Sequence, residues 1–389
     1  MGIDKREQIV IALLTLCALL IRLVVVFGLA ANPLVYDSEM YLLVANGMVN
    51  EAPISSFPNG YPLIIALFKV FLSTKQTITA LLAANVLLSS LCVPLTYIVI
   101  RSAIKSTKIA FMSAALMLIY PHQVRYAQLV MTETISTFVL LSATCLLTIT
   151  LTRLKESKIN EALVYAMSCG LVFHMAGAIR PSLLAIGVMT IGWLAYVGRS
   201  WKVSLSHLTG LMVGFLLLFV LEHSPIARPP QALNNNILIA ISSTSNNVDF
   251  VAFSPDEQRR AISTYFTFAV SKPVEFTKQR AIAFWELWGP KSLSGYKQEQ
   301  ETGLVKAVII IRSILLLLSI VCLIRNRQEA GSWMLGIPLI VITVVHTLTF
   351  GNHRFLVPIE PYLFGLACWG ASTIKRKQRD SGTLPVTLI

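Results

Sequence analysis

The sequence predicts an all-α polytopic membrane protein of about ten transmembrane helices, with amphipathic helices lying on the outer face. Three observations predict it. Of 389 residues, 55% are hydrophobic and 13% charged, with a mean hydropathy of +0.70, far from the ~25% charged residues of a soluble domain. The apolar stretches run on for ~20 residues instead of alternating over ~10, which argues against a β-barrel. Basic residues, finally, fall in alternate short segments between these stretches. The formal net charge of +13 is therefore a topology signal and says nothing of nucleic acid. A soluble enzyme, a disordered binder and a DNA-binding domain are excluded.

The first run, Ile9–Ala30, follows Lys5 and Arg6. Gly28-Leu29-Ala30 resembles a small-residue cleavage site, but the run is too long for a signal peptide and contains Arg22, so it reads as a span. Two fates stand for Arg22: snorkelling to the outer face, or pairing with an acid of a cavity. The first outer loop, 31–76, carries Pro33, Pro53, Pro58 and Pro62 and two amphipathic stretches, Met40–Val49 and Leu63–Leu72, which read as interfacial helices. Six runs follow: Thr77–Ile100, Ile109–Tyr120, Thr132–Leu151, Glu161–Ala178, Pro181–Val197 and Leu205–Leu221. Those ending at Tyr120 and starting at Pro181 fall short of ~20 residues and predict helices that end below the outer surface.

A long outer loop, 222–303, opens with Pro225, Pro229 and Pro230 and holds the stretches Ser254–Ala269 and Pro273–Trp288. In the latter, Phe276, Ile282, Phe284, Trp285 and Trp288 set against Lys278, Gln279 and Arg280 predict another interfacial helix. Leu304–Ile324, Trp333–Phe350 and Phe355–Ile374 complete the spans, and a cytoplasmic tail, 374–389, is expected to be disordered. The whole chain, 1–389, reads as one transmembrane domain.

With the N-terminus cytoplasmic, sixteen Lys and Arg lie in inner segments and three, Arg125, Arg180 and Arg354, in short outer ones. That asymmetry places both termini in the cytoplasm. All six cysteines lie inside apolar runs, so none is available for an outer disulfide. Polar residues of chemical interest gather at the outer boundary: Asp37 and Glu39, the connection His122 to Glu133, Arg180-Pro181, and Asn352-His353-Arg354. A charge there is costly unless paired or lining a wet cavity.

Tyr36-Asp37-Ser38-Glu39-Met40-Tyr41, Phe57-Pro58-Asn59-Gly60-Tyr61-Pro62-Leu63, Met131-Thr132-Glu133-Thr134, Ile179-Arg180-Pro181 and His353-Arg354-Phe355-Leu356-Val357-Pro358 occur in register with these spans. In this the chain resembles the GT-C glycosyltransferases of the membrane mannosyltransferase type. These include protein O-mannosyltransferases, the lipid A aminoarabinose transferase and bacterial surface-glycan enzymes. It departs from them in having Ser38 where many members carry a second acid, and no C-terminal soluble domain is expected after the last span.

The resemblance implies a GT-C-like bundle, and a sugar moved from a polyprenyl-phosphate donor to a glycan, glycolipid or protein acceptor. It also implies a multi-pass protein of the cytoplasmic (inner) membrane with its active site facing the periplasm or exterior. A site of this kind needs a base for the acceptor hydroxyl and cations for the leaving phosphate. Asp37 is the expected base, its plainer reading being an N-cap of the helix that follows. Glu39 is expected as a partner and not a second base. Glu133 either holds an arginine or acts as a first-turn helix charge. Arg125, Arg180 and Arg354, with His353 assisting, are the phosphate candidates, whereas His174 and His346 read as core. No metal and no cofactor beyond the lipid-linked donor are expected. A surface-polysaccharide polymerase or ligase is the nearest alternative, then a transporter.

Overall fold

The computed structural model describes residues 4–29, 32–35, 37–49, 58, 60–222, 255–289, 303–349 and 351–381. Tyr36, Phe57, Asn59, most of the segment 222–254 and the end of the tail lie outside them. Among the described residues every regular element is helical.

Helix α1 (Lys5–Leu23) starts at Asp4, whose carboxylate accepts from the Glu7 amide at 2.7 Å, and is prolonged by a π-helical turn, Val24–Gly28. The outer-loop helices are α2 (Ser38–Val49) and α3 (Gly60–Lys69). Pro62 is accommodated in the first turn of α3, where a missing amide proton costs nothing. Ser73 and Gln76 form a capping box that opens α4 (Thr74–Ile104), and Lys105 ends it in a left-handed conformation. Then come α5 (Thr107–Ile119), the short α6 (Pro121–Tyr126), α7 (Thr132–Lys155), α8 (Ile159–Ile179), α9 (Pro181–Gly198) and α10 (Trp201–Glu222). The series closes with α11 (Pro255–Ser271), α12 (Pro273–Trp288), α13 (Gly303–Arg325), α14 (Ala330–Leu348), a 3₁₀ segment (His353–Ile359) and α15 (Glu360–Ser381).

Each of the ten expected spans is thus a helix. Six segments are long and apolar enough to cross a membrane by length and composition: Lys5–Gly28, Thr74–Ile104, Thr132–Lys155, Ile159–Ile179, Pro181–Gly198 and Ala330–Leu348. Helix α5 has 13 residues, short as its apolar run foretold. Two expectations need correction. Helix α15 runs through Lys375–Arg379 to Ser381, where disorder was expected, because basic residues are good helix formers and no breaker precedes Gly382. In α12 it is Gln279 and Arg280 that are buried, while Phe284 and Trp285 are exposed. Phe284 and Trp285 look outward, as suits a helix at a lipid boundary, while Trp288 is buried.

Helix α8 packs against α7, α9 and α10, and α15 against α13 and α5. The α8–α10 contact is close because a Cβ at Gly210 would come within 1.9 Å of the Met167 carbonyl oxygen. His207, fully buried, sets one ring nitrogen 3.3 Å from the Ala166 carbonyl and the other 3.0 Å from the Gly187 carbonyl, and so ties α10 to α8 and α9. Leu13, Leu16 and Leu20 on α1 are exposed, the apolar surface expected to meet lipid.

Arg22 takes neither of its expected fates. It is fully buried: Nε donates to Ser89 Oγ at 2.7 Å, Nη1 to the Leu118 carbonyl at 3.3 Å, and Nη2 to the Met117 carbonyl at 3.2 Å. Those carbonyls are among the last of α5, which no amide satisfies. At the other end of these helices Glu7 accepts from Tyr97, Arg101 and Thr107.

Candidate active site

Four connections converge at one end of the bundle. Asp37 immediately precedes α2, but its side chain does not cap that helix: Oδ2 accepts from Arg354 Nη2, a contact that spans 317 residues of sequence. Ser38 Oγ instead donates to the Val35 carbonyl at 2.7 Å, which fixes the entry turn. Arg354 is placed by the turn after α14, where Asn352 Oδ1 accepts from the Arg354 amide at 3.0 Å. A Cβ on Gly351 would lie 1.8 Å from the Ala283 carbonyl oxygen, so only glycine lets this turn sit against α12. Arg280 secures the same junction, its Nη1 donating to the Leu348 and Thr349 carbonyls at 2.6 and 2.7 Å.

The second pair arises where α7 starts and α8 gives way to α9. Arg180, extended (φ −147°) between two helices and followed by Pro181, donates from Nη2 to Glu133 Oε1 at 2.8 Å and to Thr132 Oγ1 at 2.9 Å. Glu133 is fully buried, so its two readings hold together: it is a first-turn acid that also grips an arginine. Glu133 Oε2 and Arg180 Nη1 are buried without a hydrogen-bond partner among the described residues. Phe355 joins the two pairs. Its ring lies 5.4 Å from the Arg180 guanidinium and 5.5 Å from that of Arg354, and stacks on His346 at 4.2 Å. Tyr41 and Tyr61 meet edge to face beside them, 5.3 Å apart. Burial, and then the Asp37 carboxylate, push the Tyr41 phenol above its ordinary pKa.

A third group adjoins these. Glu360, fully buried at the start of α15, receives His122 Nδ1 at 2.8 Å and Gln123 Nε2 at 2.8 Å. His122 stacks on His353 at 5.9 Å, and Arg312 on α13 donates from Nη1 to the His353 carbonyl at 3.2 Å. Burial, then the neighbouring Arg312, His122, Arg354 and Arg125, hold His353 well below its usual pKa, so that it is neutral at pH 7. For Arg354 burial works against the charge, but Asp37 and then Glu133 outweigh it and its pKa rises.

Of the expected residues, Asp37, Glu133, Arg180, His353 and Arg354 are therefore brought together, with half-buried Arg125 on α6 near enough to act on His353. Glu39 is not among them; it stands exposed in the first turn of α2, since two residues along a helix face different ways. Arg312, Glu360 and Gln123 were not foreseen. Arg312 gave the same signal as Arg22, a charge within an apolar run, and Glu360 is the lone acid of the last run. Among the described residues no three His, Cys, Asp or Glu side chains form a metal-binding group.

No protein-family model matches the chain, and no curated protein matches it in sequence. Solved structures match it in fold. One is the crystal structure of the oligosaccharyltransferase of Archaeoglobus fulgidus, tethered through a disulfide bond to an acceptor peptide containing the NVT sequon. The similarity has a TM-score of 0.59 at 13% identity and covers 95% of this chain but 50% of that one. In fold, then, the chain is an all-α polytopic membrane protein of the GT-C type.

Proposed function

We propose that this protein transfers a sugar from a polyprenyl-phosphate donor to a lipid-linked glycan, surface glycan or protein acceptor at the outer face of the membrane. The observation that carries the reading is the convergence of two carboxylate–guanidinium pairs, the half-buried Asp37–Arg354 and the buried Glu133–Arg180, from four separate connections at one end of an apolar bundle. Ionic groups so placed line a polar site that a lipid-anchored phosphate can reach from the bilayer. The fold, shared with an oligosaccharyltransferase, is one in which glycosyl transfer is expected.

In the proposed step the acceptor hydroxyl oxygen bonds to C1 of the sugar while the bond from C1 to the phosphate oxygen breaks. The electron pair leaves on the phosphate, and the hydroxyl proton passes to Asp37 Oδ1, since Oδ2 is held by Arg354. Guanidinium groups of the site neutralise the charge gathering on the phosphate, and displacement by a single base gives inversion. The test is purified protein in nanodiscs with a radiolabelled polyprenyl-phosphate sugar and a panel of glycolipid, glycan and peptide acceptors. Transfer of label to one of them, lost in Asp37→Asn by roughly 10²–10⁴-fold, is the expected result. Absence of transfer and of donor hydrolysis across the panel would overturn it.

A further inference from the structure

Arg312 is fully buried, and among the described residues its Nη1 alone has a partner, the His353 carbonyl at 3.2 Å. Nε and Nη2 have none there. These two nitrogens share one edge of the guanidinium, the side-on fork whose parallel N–H bonds match two oxygens of a carboxylate or phosphate. A buried cation with that edge unused is expensive, and such an unsatisfied group calls for an explanation. The nearby acid does not supply it. Both oxygens of Glu360 are already engaged, one by His122 and the other by Gln123, which also holds the Val357 carbonyl at 2.7 Å. No ion pair joins Glu360 to Arg312 among the described residues.

Asp37 is paired with Arg354 and Glu133 with Arg180, each through one carboxylate oxygen. Around His353, by contrast, cations gather: Arg312 and Arg125, with the stacked His122. We propose that Arg312, with Arg125 and the His122–His353 pair, forms an anion subsite that seats the phosphate of the lipid-linked donor, while Arg180 and Arg354 serve the acids. This rests on the donor class proposed above and names the seat of its phosphate. Because Arg312 is out of reach of water in this structure, seating the anion requires the 353–359 turn, whose first carbonyl it holds, to shift. An inorganic phosphate offers the same oxyanion, so the two sources are separated by experiment.

The full chain in nanodiscs is titrated with farnesyl phosphate and, separately, with inorganic phosphate. Wild-type protein should bind farnesyl phosphate at least ~10-fold more tightly than inorganic phosphate. Arg312→Lys keeps the charge but loses the fork and should weaken farnesyl phosphate binding ~10-fold or more, Arg312→Gln further, while Lys272→Gln, a charge lost from the exposed start of α12, leaves it unchanged. Hydrogen exchange on wild-type protein, which needs no variant to fold, should change in peptides covering 351–359 when farnesyl phosphate is added. Unchanged affinity in a folded Arg312→Lys or Arg312→Gln protein, or binding without change in that turn, would overturn the subsite and leave the donor class standing. Failure of wild type to bind farnesyl phosphate would instead overturn the donor class itself. Equal affinity for the two phosphates would make this a free-phosphate site.

Discussion

At the scale of single residues, the site is built from pairs, and pairs respond to substitution differently from lone charges. Arg180 grips Glu133 and Thr132 with one nitrogen, so Arg180→Lys retains a cation but not this planar geometry. Turnover should fall roughly 10- to 150-fold, the equivalent of ~1.5–3 kcal/mol for a charge-assisted bond. Wild-type turnover at normal protein level would reduce Arg180 to a helix anchor, since lysine snorkels as well as arginine. His353 gives a pH prediction. The unfolded chain takes up a proton near pH 6.5, whereas the folded imidazole stays neutral well below that. Its contribution to stability is thus complete above 6.5 and is lost as pH falls toward the folded value, with a slope of at most ~1.4 kcal/mol per pH unit. Thermal unfolding in detergent between pH 7.5 and 5.5 should show a smaller loss for His353→Gln than for wild type, and equal losses would assign the effect elsewhere. Asp37, Glu133, Arg180 and Arg354 could be singled out from sequence because each breaks an apolar context at a connection. Who pairs with whom could not, because the partners are separated by 47 and 317 residues and nothing local encodes the match.

Whole helices were legible wherever an apolar run supplied the pattern, and less so where one side chain does two jobs. Arg280 looked like part of a polar outer face and is instead the cap of α14. Arg22 offered snorkelling to water or pairing with an acid, and is the cap of α5. Hydropathy alone would make Arg22→Leu an improvement. The bonded arrangement implies the reverse, a loss of about 1–3 kcal/mol for each buried group left unsatisfied, read as a lower unfolding temperature in detergent. An unchanged or raised temperature would show that the end of α5 finds other donors. Gly351→Ala tests the junction of α12 with the turn bearing Arg354. The new methyl meets backbone, which cannot rotate away, so both stability, by ~1–3 kcal/mol, and turnover should drop. Wild-type behaviour in both would mean that the turn does not need this close approach.

For the whole molecule, alternation of basic segments foretold that the connections before α2, α7, α9 and α15 share one end, and the two ion pairs, joined through Phe355, require it. Which end faces outward is a prediction. With the six native cysteines replaced, Lys272→Cys should react with an impermeant maleimide on intact cells and Lys155→Cys only after lysis. The opposite pattern would invert the orientation and move the site to the cytoplasm. The contact between Asp37 and Arg354 also has a meaning in time. At roughly 5–20 residues per second, about 16 s to a minute of synthesis separates the emergence of the two side chains, 317 positions apart. A nascent chain lacking its last two helices holds an acid with no counter-ion. Messages truncated before α14 should therefore yield inserted but inert protein, and quality control of this chain has a single late event to watch, the docking of its final hairpin.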